Sequence, residues 1–226
     1  ALTALRFLLP GPEPAEASGA DAHAEGASVK RGAGRPRLVL SMAALVLIAS
    51  SGVLVEDAGM TWAAVYLSGT LGAGVAVASL GYVALVGAQF IGRLFGDRLV
   101  DRFGQRAVAR TGGLLAALGM GGALLFPSVP ATVVGFAFAG FGVATLVPAA
   151  MHGADELPGL RPGTGLTVVS WLMRMGFLLS PPVVGLIADA AGLRLGLLVV
   201  PLAGGLVMAL AGVLSARRVT APRGGG

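Results

Sequence analysis

Cysteine is absent from the 226 residues, which excludes disulfides, thiolate nucleophiles and cysteine-held metals. Histidine is nearly absent too. Neither His23 nor His152 has a second ligand at metal spacing, so no metal and no cofactor is implied. Charge is scarce, with Asp, Glu, Lys and Arg making up 12% of the chain. The apolar segments hold no cluster of His, Asp or Glu and no nucleophile with a base at helical spacing, which argues against a membrane-embedded enzyme. No basic, apolar, small-residue signal pattern opens the chain.

What is present is apolar surface: mean hydropathy is +0.85. Six nearly charge-free stretches, Leu38–Val55, Thr70–Ile91, Ala107–Phe126, Ala131–Met151, Gly163–Ala188 and Leu193–Ala216, each approach the ~20 residues that carry a helix across a bilayer. Backbone polar groups in lipid must be paired within the segment, so the prediction is an all-α membrane protein with six transmembrane helices. A barrel would show ~10-residue alternating segments instead.

Charge placement sets an expected orientation. If the helices alternate from a cytoplasmic start, 14 of the 16 Lys and Arg fall on the cytoplasmic side, with Arg194 alone outside and Arg174 within a span. That is the positive-inside pattern, with both termini cytoplasmic, and it turns the basic balance away from nucleic acid toward the bilayer. Residues 1–37 are rich in Ala, Gly, Pro and Glu before a basic run at Lys30–Arg37, and they read as a disordered cytoplasmic linker. Ala1–Pro10 reads as the tail end of an earlier apolar helix, and residues 217–226 as a cytoplasmic tail. Between spans, Glu56–Gly69 is expected as an external loop and His152–Pro162 as an internal one, while Pro127–Pro130 and Asp189–Gly192 form tight external turns.

Glycine, at 37 residues, lets helix backbones approach closely in lipid. Proline at Pro148, Pro181-Pro182 and Pro201 removes backbone donors and is expected to kink three spans.

The densest charge lies in Gly92-Arg-Leu-Phe-Gly-Asp-Arg-Leu-Val-Asp-Arg-Phe-Gly-Gln-Arg106. Asp97 and Asp101 share one helical face, as do Arg98 and Arg102, so each Asp is expected to have an Arg within local reach. Phe103-Gly104 should break the helix. The string resembles the loop signature of the major facilitator superfamily, Gly-x-x-x-Asp-Arg-x-Gly-x-Arg, on Asp101, Arg102, Gly104 and Arg106. It departs at the leading glycine, where Asp97 stands. Glu56–Tyr66 and Gly176–Asp189 look like segments of the fucose-permease-like branch, with Asp57 a second departure.

This resemblance, over about Leu38–Arg218, implies the C-terminal six-helix half of a 12-helix major facilitator fold. The loop would be an intracellular gate, formed by Asp97, Arg98, Asp101, Arg102, Gly104 and Arg106. That gate holds the two halves together while the cavity faces outward. The N-terminal half, a small-molecule substrate and a coupling proton are the implied partners.

Inside the spans, Thr167, Ser170, Trp171, Arg174 and Pro181 recur at helical spacing and predict a polar stripe on the fifth helix. A charge at Arg174's depth costs ~2.5–3.5 kcal/mol on insertion scales. It therefore faces either a cavity or a structural partner. Ser79, Tyr82 and Gln89 share one sector of the second span, where they either line the same cavity or hydrogen-bond between helices, the commoner fate of isolated polar residues in membranes. Glu56 and Asp57 are placed at the external end of the first span, where exposed carboxylates are usually only solvated, and the resemblance implies them as proton-coupling candidates. The expected function is secondary transport by alternating access. The alternative is a six-helix structural or assembly protein that moves nothing.

Overall fold

The structure, a computed structural model, describes residues 35–161 and 163–214. The expected linker, the apolar segment Ala1–Pro10, His23 and the 217–226 tail lie outside those residues, apart from Arg35–Arg37. Every described element is helical. The order is α1 (Arg35–Val65) running on as a π turn (Tyr66–Thr70), then α2 (Val75–Phe103), α3 (Gln105–Leu125) and α4 (Val129–Val143). These are followed by α5 (Leu146–Asp155), α6 (Thr164–Ala191), α7 (Leu193–Gly196), α8 (Val199–Leu210) and a 3-10 turn (Ala211–Val213). Taking α4 with α5 and α7 with α8, six helices are long and apolar enough to cross a membrane.

Two of the six boundaries are corrected substantially. The first apolar helix runs Pro36–Thr70, so the expected loop Glu56–Gly69 is helix and Glu56 does not mark a helix end. Polar residues there did not stop the helix because neighbouring helices supply their partners. The second does not end at Ile91 but runs to Phe103, which extends the span through Gly92, Arg93, Asp97 and Asp101, with the break at Phe103-Gly104 as expected. It stops at Gly104, whose φ of +85° suits glycine, and α3 starts immediately after. Gly192, at φ +91°, separates α6 from α7 in the same way, so Asp189 belongs to the helix. The internal loop likewise begins only after Asp155, and Ser128 caps α4 by accepting a hydrogen bond from the Ala131 N–H at 3.3 Å.

Two of the expected proline interruptions are present. Proline offers no N–H to the carbonyl four residues back. Pro148 therefore leaves Ala144 unbonded, and the chain breaks between α4 and α5, where the Ala144 N–H bonds Phe141 O at 3.4 Å. Pro201 likewise denies Leu197 its donor four residues on, so the Leu197 carbonyl accepts from the Val200 N–H at 3.1 Å instead, and α7 gives way to α8. At Pro181-Pro182 the expected interruption does not occur: α6 is continuous. The carbonyls these prolines leave belong to Phe177 and Leu178, both on the exposed face of the helix.

Small residues set the crossings. A Cβ on Gly112 of α3 would meet the Gly142 carbonyl of α4, and one on Gly140 of α4 would meet the Leu85 carbonyl of α2. Between α3 and α8, a Cβ on Gly113 would stand 2.6 Å from Gly204 O. The core thus lies around α3 and α4, with α1 packed on α2, α5, α6 and α8. Buried Leu45, Ile48, Tyr66, Met120 and Phe136 fill it.

Candidate functional site

Facing pairs fix heights in the bundle. Across α1 and α2, Gly59 meets Leu85, Gly81 meets Ala63, and Glu56 meets Gln89. Gln89 is the central residue of α2, ~21 Å from either helix end at ~1.5 Å per residue. The same level on α3 is Gly112–Gly113, within a turn of the midpoint of a helix about 31 Å long, close to the ~30 Å hydrocarbon thickness. Glu56 and Asp57 therefore sit at mid-height, not at an external end. This correction follows from the continuity of α1.

At that level Gln89 Nε2 donates to Glu56 Oε2 at 2.8 Å. The guanidinium of Arg93 stands 3.7 Å from the same oxygen. A lone carboxylate at this depth would be expensive, and the amide and the cation together offset that cost. Asp57, next along α1, is 5% exposed. Its Oδ1 accepts from Thr61 Oγ1 at 3.5 Å, while Oδ2 has no partner among the described residues. Trp62 Nε1, Tyr66 OH and Ser180 Oγ are buried and likewise unpartnered among them.

The structure therefore brings together two of the expected cavity residues, Glu56 and Gln89, and adds one that sequence reasoning had placed at the membrane surface, Arg93. The signal was available: Tyr82, Gln89 and Arg93 stand seven and four apart and share a face of α2. Tyr82 lies exposed on that stripe, and Ser79 donates to its own helix at Ala76 O, 2.8 Å.

The α6 stripe is separate. Gly176 packs on Ser50 and Gly185 on Trp62, which puts Arg174 below Glu56, toward the Gly104 end. Thr167, Trp171 and Arg174 are exposed and Ser170 is half-buried. Thr167 Oγ1 donates to Gly163 O at 2.9 Å, and Arg174 makes no ion pair among the described residues.

At the Gly104 end, the expected local pairing of Asp97 and Asp101 with Arg98 and Arg102 is not formed: no ion pair joins them. The i,i+4 positions stack like on like, Asp over Asp and Arg over Arg, which repels rather than pairs. Arg102 instead covers the Phe103 ring, 5.5 Å from its centroid. Asp97 lines a pocket of ≈ 290 Å³ with Val100, Gln105, Thr145, Pro148, Ala149 and His152. Arg106 is held by carbonyls. Its Nε donates to Leu214 O at 3.2 Å and its Nη2 to Gly212 O at 2.6 Å, closing the end of the last helix.

Arg194, the exception to the charge asymmetry, has a matching role at the opposite end. Its Nε donates to Leu124 O at 2.7 Å, where α3 leaves its last carbonyls.

Six apolar helices, a charged turn between the second and third, and a carboxylate–amide–guanidinium cluster at mid-height define a polytopic membrane protein built around an internal polar layer. The sequence profile of the Major Facilitator Superfamily matches residues 40–225, and the chain belongs to that family. It is 36% identical over 156 residues to membrane protein MosC of Rhizobium meliloti, covering 69% of this chain and 37% of that one. It is 34% identical over 156 residues to an uncharacterised transporter, y4wD, of Sinorhizobium fredii, covering 69% and 41%. Against an uncharacterised MFS-type transporter of Yersinia pestis it is 30% identical over 140 residues, covering 62% and 36%. The matched stretch thus spans well under half of these curated relatives.

Proposed function

We propose that this chain is the C-terminal six-helix half of a secondary transporter that moves a small molecule by alternating access, with Glu56 carrying a coupling proton. The partner is an N-terminal six-helix half, with which this bundle shares a mid-height cavity. The Gly104 end faces the cytoplasm of a cell-membrane transporter, both termini lie on that side, and the charged turn is the inner gate. The observation that carries the reading is the Glu56–Gln89–Arg93 cluster at mid-height. An ionisable group at that depth is costly, and a bundle that only anchors or assembles has no use for it. Tyr82 on α2 and Trp171 on α6 belong to the faces that this cavity would wet. Both are exposed in the isolated bundle.

The test is accessibility in the full-length transporter, stripped of any other cysteines. Tyr82→Cys should react with a membrane-impermeant thiol reagent from the outside, and Trp171→Cys from the cytoplasmic side in inverted vesicles. If neither reacts from water, these faces meet lipid and the bundle is an anchor.

A further inference from the structure

Arg93 enters the mid-height cluster from α2 but is loosely held there. Its Nη2 lies 3.7 Å from Glu56 Oε2, beyond the ~2.7–2.9 Å of a charge-assisted hydrogen bond. Its side chain is 58% exposed against 28% for Glu56. Gln89 grips the same oxygen at 2.8 Å and keeps Glu56 in place without it. Four residues along α2 toward the Gly104 end stands Asp97, exposed, with no ion pair among the described residues. Helical neighbours at i and i+4 have Cβ atoms ~5–6 Å apart, within the reach of an arginine side chain. One guanidinium thus has two carboxylates within range, one at mid-height and one at the mouth of the bundle.

Resting on the proton-coupled reading above, we propose that Arg93 is the positioning residue that links the two sites. Ionised Glu56 retains Arg93, and protonation of Glu56 releases it to Asp97. The proton comes from hydronium in the aqueous cavity, leaving water, and ends on a Glu56 carboxyl oxygen. No other covalent bond changes, and the guanidinium stays charged throughout. The Gln89 amide has a donor and an acceptor end, so turning it over gives the new Glu56 O–H an acceptor. Asp97, neutralised by Arg93, then lets go of the basic group on the partner half that it holds when free. The cytoplasmic mouth opens.

Few other ionisable groups interfere. Asp57 adjoins Glu56 on α1, and Arg98 and Asp101 adjoin Asp97 on α2. Of the helices packed on α1 and α2, α4 and α8 carry none. Helix α3 has Arg106 and Arg110 at its Gly104 end, α5 has His152 and Asp155 there, and α6 has Arg174 below the cluster and Asp189 at its far end. His152 shares the Asp97 pocket, so the test is run in a His152→Gln background.

The reporter is Thr145→Cys, on the wall of the Asp97 pocket. Its labelling rate by an impermeant maleimide is measured in inverted vesicles of the full-length transporter at about pH 5 and about pH 8. The rate should be about tenfold higher at the acid pH, the scale of one charge-assisted hydrogen bond. Glu56→Gln and Asp97→Asn should label fast at both pH values, and Arg93→Gln slowly at both. Arg93→Lys keeps the charge and should keep the pH ratio, which separates lost charge from lost fold. An unchanged ratio in Arg93→Gln, with the ratio abolished in Glu56→Gln, would overturn the switch and leave proton coupling standing. A wild-type ratio near one would overturn both.

Discussion

Replacing Arg194 with glutamine removes a cation from a place where membrane topology gives it no reason to be. The structure supplies the reason: α3 ends at Leu125, its last carbonyls have no helical donors, and Arg194 reaches across from the start of α7 to fill that gap. The Nε bond to Leu124 O, at 2.7 Å and half-buried, falls at the lower end of the charged range, about 1.5 kcal/mol. A positive charge against the negative end of α3 adds about 0.5 kcal/mol. The contact of Nη2 with Leu125 O, at 3.4 Å, is too long to add much. The loss is therefore about 2 kcal/mol, or about 4–8 °C in melting temperature for a domain of this size. The assay is thermal unfolding in detergent, followed by fluorescence-detected size exclusion. Arg194→Lys should fall between the two, because it keeps the charge but not the Nε–H. A melting point within about a degree of wild type for Arg194→Gln would show that the cap contributes nothing and that the arginine is held there for another reason.

Gly112→Leu should cost at least about 1–3 kcal/mol in the same assay, since its Cβ meets the Gly142 carbonyl, whereas Gly122→Ala, with nothing within 4 Å, should be tolerated. Asp101→Asn should lower transport at normal membrane abundance by weakening cytoplasmic closure; normal transport by both Asp97→Asn and Asp101→Asn would reduce the turn to an anchor. Arg174→Gln and Arg174→Lys should both impair uptake normalised to inserted protein, the second because it loses the planar fork that suits a carboxylate. Wild-type uptake by Arg174→Gln would make that arginine structural.

The amino-acid sequence by itself determined the solvent and the element type. Unbroken apolar runs leave a backbone no choice but helix in lipid, and six of them make six helices. Gly104 as a stop was legible because only glycine relieves its positive φ, and the breaks before Pro148 and Pro201 because proline removes a donor whatever surrounds it. Such features are set within one turn of chain.

The tertiary structure decided the rest. Glu56 read as the end of a span because hydropathy falls there, yet α1 continues because α2 brings Gln89 and Arg93 to the carboxylate. Arg93 read as a surface charge for the same reason. Nothing along the chain tells that Arg106 and Arg194 each close the end of another helix, through carbonyls far away in the sequence. A charge's role in a membrane depends on which helix lies opposite and at what height. That is settled by glycine-to-backbone crossings such as Gly112 on Gly142, where a pattern along one helix does not say which neighbour will come close.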